Sequence, residues 1–259
     1  MVAASATAAV RFGGTPMADL ARAAELSKKG RRTAKKLLKR GGGRRLMYRI
    51  TTRRSSRHAL VGPADLWRMK RRFQFRFLTA RGLQPEHRLL DIGCGTLRGG
   101  IPLIAYLDAG HYVGVEARAE VLEEGRKELA ESGLEDKRPR LIHTPDLGQV
   151  QLDAPIDFAW AFSVLIHMHD DIAETCLGLI ARSLSETGEF YANVQLGQRP
   201  DGRWMEFPNV ARPREFYERV AASYGLVLDE VGKLGMLGHR TGDRVHDNQT
   251  MLRFARASS

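Results

Sequence analysis

One short stretch constrains this chain more than any other: Leu89-Leu-Asp-Ile-Gly-Cys-Gly-Thr96. An apolar run ends on two glycines one residue apart, and an apolar helical pattern follows at once, from Leu97 to Leu107. A strand buried on both faces reads as such a run, because side chains on either side of the sheet meet protein rather than water. Glycines at its end allow a tight turn into a helix and let a ligand lie directly on the backbone. The motif therefore predicts a strand–turn–helix unit of a parallel sheet. Taken alone it leaves open an NAD or FAD site of the same general design, or simply a tight turn. A dinucleotide fingerprint asks for a third glycine three residues after the second. That position is Arg98, with Gly99 beside it.

The rest of the sequence alternates in the same way. Strands are predicted at Arg88–Ile92, His111–Glu116, Arg140–His143, Ile156–Phe162, Glu189–Gln195, Leu226–Val231 and Thr250–Phe254, and helices at Glu120–Glu131, Asp171–Ser183 and Pro213–Ser223. No helical pattern separates the last two strands, so they are expected to pair antiparallel. Before the sheet, Ala64–Leu78 carries Leu66, Met69, Phe73, Phe77 and Leu78 at helical spacing, which makes an amphipathic helix that must pack on something.

Charge divides the chain. Residues 1–60 hold 16 Lys/Arg against Asp19 and Glu25, whereas residues 82–259 hold 19 Lys/Arg against 27 Asp/Glu. The formal net charge of +11 thus describes an arm on a mildly acidic domain. The expected organisation is a basic arm over 1–58 and a domain over 59–259, split into a helical cap (59–82) and a core (83–259). Within the arm, Met17–Arg40 has sparse helical spacing, Gly41–Gly43 breaks it, and Arg44–Arg57 looks like a linker. The arm's few acids and many Ala, Ser and Arg also suit a transit peptide. Residues 28–57 offer a surface for nucleic acid or for an anionic membrane. No apolar run is long enough to cross a bilayer. Two cysteines make no disulfide framework and fit a reducing, cytoplasmic setting.

The segment Asp91-Ile-Gly-Cys-Gly-Thr96 resembles motif I of class I S-adenosylmethionine-dependent methyltransferases, and the likeness extends from about Phe73 to Arg256. It implies a Rossmann-like, doubly wound α/β fold: a mostly parallel seven-stranded sheet with a C-terminal antiparallel hairpin. It also implies S-adenosylmethionine as cofactor. In the family, residues matching Gly93 and Gly95 pass beneath the cofactor, with Cys94 between them, and the acid matching Asp91 helps to hold the methionine end. Glu116 ends the second predicted strand 21 residues beyond Gly95, where an ionised carboxylate can accept both ribose hydroxyls. Asp146, in Thr144-Pro-Asp146, matches an acid that meets the adenine amino group, although a solvated loop acid fits equally. The stretch Ile156–Met168 resembles the family's post-strand segment ending in Leu-x-His, which puts Ser163 and His167 at the sheet edge where the methyl group is delivered. His167 is a candidate base, or else a packing residue.

The family's Asn-Pro-Pro-Tyr motif for amide and base nitrogens is missing, which favours another acceptor. His239, His246 and Asp247 lie in the last loop without a ligand pattern, so no metal is expected. The preferred reading is O-methylation of a small molecule or glycan. RNA methylation through the arm, and cofactor binding without turnover, stand beside it. The helix Ala64–Leu78, the segment Leu196–Pro213 and the loop Gly235–Asn248 are expected to set specificity, with Trp67, Trp204, Met205 and Phe207 as candidate walls.

Overall fold

The computed structural model describes residues 57–257. The expected helix Met17–Arg40, the glycine break and nearly all of the basic arm lie outside these residues. The compact unit that contains the sheet begins at Ser55, and Arg57 is buried within it, earlier than the expected boundary at residue 59.

Seven strands form one sheet: β1 (Leu89–Ile92), β2 (Tyr112–Glu116), β3 (Arg140–His143), β4 (Ile156–Ala161), β5 (Leu184–Val194), β8 (Leu226–Lys233) and β9 (Thr250–Arg256). Their order is β3-β2-β1-β4-β5-β9-β8. β1 pairs in parallel with both β2 and β4, with Leu90 opposite Val113 and Ala159. β9 runs antiparallel to both β5 and β8, so the expected hairpin is present and its second strand is inserted into the sheet. Two further strands, β6 (Gly202–Trp204) and β7 (Phe207–Asn209), make a separate hairpin inside the segment expected to set specificity.

The helices are α1 (Trp67–Ala80), α2 (Gly100–Tyr106), α3 (Ala119–Ser132), α4 (Asp170–Ser183), α5 (Arg214–Ser223) and the single turn α6 (Arg244–Asp247). Side chains alternate across the sheet with period two. Ala159, Ala161, Phe190 and Ala192 face one core layer with α4 and α5. Phe158, Trp160, Phe162 and Tyr191 face the other, with α1, α2 and α3. Among the described residues no helix is long and apolar enough to cross a membrane.

Three differences from the sequence reading have local causes. The helix expected from Leu97 starts at Gly100, because Leu97 adopts a left-handed backbone (φ 58°) that a helix cannot contain. β5 starts at Leu184 rather than Glu189; polar residues at its start hide the strand, and the ladder shifts register between Ile156 and Phe158. The last loop holds α6, whose Asp243 side chain accepts the Val245 N–H at 2.8 Å.

Candidate functional site

A cavity of about 520 Å³ opens at the C-terminal edge of the parallel strands. Its floor is the turn after β1. Gly93 and Gly95 have φ of +67° and +59°, and the Gly93 and Cys94 N–H groups donate to Val115 O, carrying the β1–β2 ladder into the turn. The turn is crowded as well as left-handed. A Cβ at Gly93 would stand 2.5 Å from Val164, and one at Gly95 2.8 Å from Val61.

Glu116 ends β2 beside this turn. It is buried and lines the cavity; Oε2 accepts the Gly95 N–H at 3.0 Å and Oε1 the Arg118 N–H at 3.1 Å. Each oxygen keeps acceptor capacity. Ser163 lines the cavity too, with φ +60° and its N–H held by Asn193 Oδ1 at 2.7 Å. Asn193 is itself fixed by Gln249, another lining residue, at 2.6 Å.

Asp91, Cys94 and Asp146 are not part of this wall. The Asp91 carboxyl sits below the turn, accepts the Tyr112 hydroxyl at 2.6 Å, and is pushed up to about 7 by burial, which the Tyr112 hydrogen bond opposes. Cys94 is buried against Gly114, and burial pushes its thiol up. Asp146 is exposed and caps a turn, accepting from Gly148 N and Gln149 Nε2, while its neighbours Thr144, Pro145 and Leu147 line the cavity.

His167 also lines the cavity. Its Nδ1 lies 2.6 Å from Pro208 O. A carbonyl only accepts, so Nδ1 carries the proton and Nε2 is the lone-pair nitrogen of the neutral ring. Burial holds its pKa below the ordinary imidazole value, with the Pro208 contact opposing and the Arg118 charge assisting. The β6–β7 hairpin backs this wall: Trp204 stacks on His167 (5.7 Å, 25°), Phe207 lies 5.6 Å from it, and Arg118 sits over Phe207 at 4.8 Å. Of the other candidate walls, Trp67 is buried away from the cavity and Met205 faces solvent.

The sequence reading missed Lys70 and Arg98. Both are buried, both line the cavity, and each has a nitrogen 3.9 Å from a Cβ built on Gly62. Arg98 Nη1 donates to Val61 O at 2.7 Å, but its Nε is buried without a partner. Among the described residues neither cation has an acid within ion-pairing distance. Burial, then the Arg98 charge, lowers Lys70 to about 8, and burial lowers Arg98 to about 10. A signal existed: Lys70 falls between Trp67 and Phe73 on the buried stripe of α1, where a lysine needs a reason. Asp91 and Asp65 act on Arg98 and Lys70 only from beyond ion-pairing distance, so an anionic ligand group would complete these two desolvated cations.

His239 is also buried, packed edge-on to Phe73 and Phe162; neither ring nitrogen is hydrogen-bonded, although Nδ1 lies 3.7 Å from Asp247 Oδ1, and burial lowers it to about 4. Asp247 is occupied by Thr241.

A family model described as a methyltransferase domain matches residues 90–190, from β1 into β5. The chain holds a class I methyltransferase domain. Its fold is shared with solved enzymes. Magnesium protoporphyrin IX methyltransferase from Synechocystis PCC 6803, with bound S-adenosylmethionine, is 18% identical over 73% of this chain and 79% of that one, with a TM-score of 0.55. An S-adenosylmethionine-dependent methyltransferase from Clostridium acetobutylicum ATCC 824 is 14% identical over 73% and 91%, with a TM-score of 0.55. The glycopeptide N-methyltransferase MtfA complexed with S-adenosylhomocysteine is 13% identical over 70% and 85%, with a TM-score of 0.54. No curated protein matches the sequence. The methyltransferase domain uses S-adenosylmethionine as its methyl donor. Its cavity fits that cofactor: the lining brings together an acceptor-only carboxylate, a glycine turn, and two buried cations that have no acid within ion-pairing distance among the described residues.

Proposed function

We propose that the domain methylates a hydroxyl of a small molecule or sugar, with His167 as the proton acceptor. The observation that carries this reading is the Pro208 carbonyl on His167 Nδ1, which leaves Nε2 as the ring's basic nitrogen in a wall shared with Trp204 and Phe207. Lowered basicity keeps the imidazole neutral near pH 7, so it can accept a proton.

In this reading Gly93 and Gly95 let the cofactor approach the backbone, and Glu116 accepts the ribose hydroxyls. Thr144, Pro145 and Leu147 border the adenine, and Lys70 with Arg98 hold the methionine carboxylate. The bound cofactor supplies an activated methyl group on a sulfonium. The protein's own contribution is alignment, exclusion of water and a place for the proton. Trp204 and Phe207 offer flat apolar faces to a sugar or ring, with Gln195 and Asn209 as hydrogen-bonding groups beside them. We place this chemistry in a reducing, cytoplasmic setting, which suits the free thiols Cys94 and Cys176.

Incubation with methyl-labelled cofactor and a fractionated extract tests the reading. Label should appear in a small, base-stable ether; label in macromolecular RNA or on an amine would overturn the hydroxyl assignment. One observation favours the RNA alternative. Arg68, Arg72 and Arg76 are exposed along α1 at successive turns, directly after a segment rich in Lys and Arg. Steep loss of RNA affinity with salt would support it.

A further inference from the structure

The segment leading into α1 forms part of the cavity wall through Leu60, Val61, Gly62 and Pro63. It has little strength of its own. Its internal hydrogen bonds are long: Leu60 N to Arg57 O 3.3 Å, Val61 N to His58 O 3.5 Å, and Gly62 N to Ala59 O 3.4 Å. Bonds near the upper limit of hydrogen-bond length hold a backbone only weakly. Side chains of other elements must fix it.

They do so at both ends. Arg57 is buried against α3, with Nε 2.9 Å from Glu124, Nη1 2.8 Å from Glu128 and Nη2 3.1 Å from Glu131. These acids are spaced i, i+4, i+7, so one helix face presents all three to one planar guanidinium. His58 stacks on Trp67 at 3.7 Å and 12°. At the other end Arg98 donates to Val61 O and Arg118 Nη2 to Leu60 O at 3.3 Å. Arg118 also gives its N–H to Glu116, and Val61 rests on the Gly95 turn. The strap is thus fastened to the elements that border the cofactor site, and Arg57 is its anchor outside that site.

We propose that Arg57 is a positioning residue of the cofactor site: it latches residues 57–63 across the cavity, and the cofactor leaves when that latch opens. This rests on the reading that the cofactor occupies this cavity. A buried guanidinium matched by three carboxylates resists release, because parting them leaves the Arg57 charge itself without those partners in a poorly solvated place. The latch therefore slows exchange more than encounter, as most contact losses do.

The test measures S-adenosylhomocysteine dissociation from the full-length chain by surface plasmon resonance, for the wild type, Arg57→Met, Arg57→Lys and Glu116→Ala. Arg57→Met should speed dissociation by about tenfold, the effect of about one lost charge-assisted contact, and Arg57→Lys should restore part of it. A folded Arg57→Met with the wild-type rate overturns the latch. If Arg57→Met does not fold, hydrogen exchange of the wild type decides. The Leu60, Val61 and Gly62 amides should exchange more slowly with S-adenosylhomocysteine bound, and unchanged exchange at saturation overturns the proposal. Unchanged affinity in Glu116→Ala is a separate failure: it removes the cofactor from this cavity, and the latch role with it.

Discussion

Glu116 Oε2 accepts the Gly95 backbone N–H at 3.0 Å, so the acid that ends β2 also holds the turn that ends β1. One carboxylate joins two strand ends at the point where the cofactor's sugar is expected. Under the proposed function, replacing it removes a ligand contact and loosens the turn together.

Glu116→Ala should therefore weaken S-adenosylhomocysteine by roughly 1.5–3 kcal/mol, the range for hydrogen bonds to a charged group. It should also lower the melting temperature of the free protein, because Gly95 N–H and Arg118 N–H lose their acceptor. Calorimetry and thermal unfolding measure the two effects separately.

Lys70 and Arg98 should discriminate between cofactor fragments. Lys70→Met should weaken S-adenosylhomocysteine and leave 5′-methylthioadenosine, which lacks the amino-acid end, unchanged. The pH dependence has a definite sign. Lys70, faced by Arg98, Asp65 and His239, is held near 8, so it is charged below that pH and neutral above it. Affinity for S-adenosylhomocysteine should fall as pH rises through 8, and Lys70→Met should flatten that fall. Titration calorimetry across this range provides the comparison.

His167→Gln should reduce kcat by about 10²–10⁴ while leaving cofactor affinity intact, as expected for loss of a general base. In the wild type the acidic limb of kcat should lie below the ordinary imidazole range, since burial disfavours the charged ring. A mutant within threefold of wild type would leave His167 as a wall residue of the β6–β7 hairpin.

Gly95→Ala should destabilise the free protein by about 1–2 kcal/mol, the cost of a side chain in a left-handed conformation. Contact with Val61 adds to that cost and displaces the strap. Urea unfolding of the free protein and S-adenosylhomocysteine titration should both register the change.

The N-terminal boundary can be tested by truncation. A chain starting at Ser55 should unfold cooperatively, whereas one starting at Ala59 loses Arg57 and leaves Glu128 paired with Arg71. Breaking a buried pair costs about 3–5 kcal/mol when no other partner remains, so the shorter chain should lose somewhat less. Comparison of the two denaturation midpoints decides it.

The sequence alone determined the sheet and the place of the cavity. Buried parallel strands must be apolar throughout, and a strand end that admits a ligand must be small, so Leu89–Thr96 and His111–Glu116 disclose both. Whatever depended on direction rather than type was decided by the tertiary structure. Asp91 turns down to Tyr112, and Asp146 turns out to cap its own loop. Lys70 and Arg98, 28 residues apart, meet at Gly62 only because α1 packs against the helix that follows β1. The β6–β7 hairpin is too short and polar to show a strand pattern, yet its Pro208 carbonyl selects the proton-bearing nitrogen of His167. A periodic pattern records which side of an element is dry. Which atom a side chain then meets depends on how the elements pack, and no local pattern carries that information.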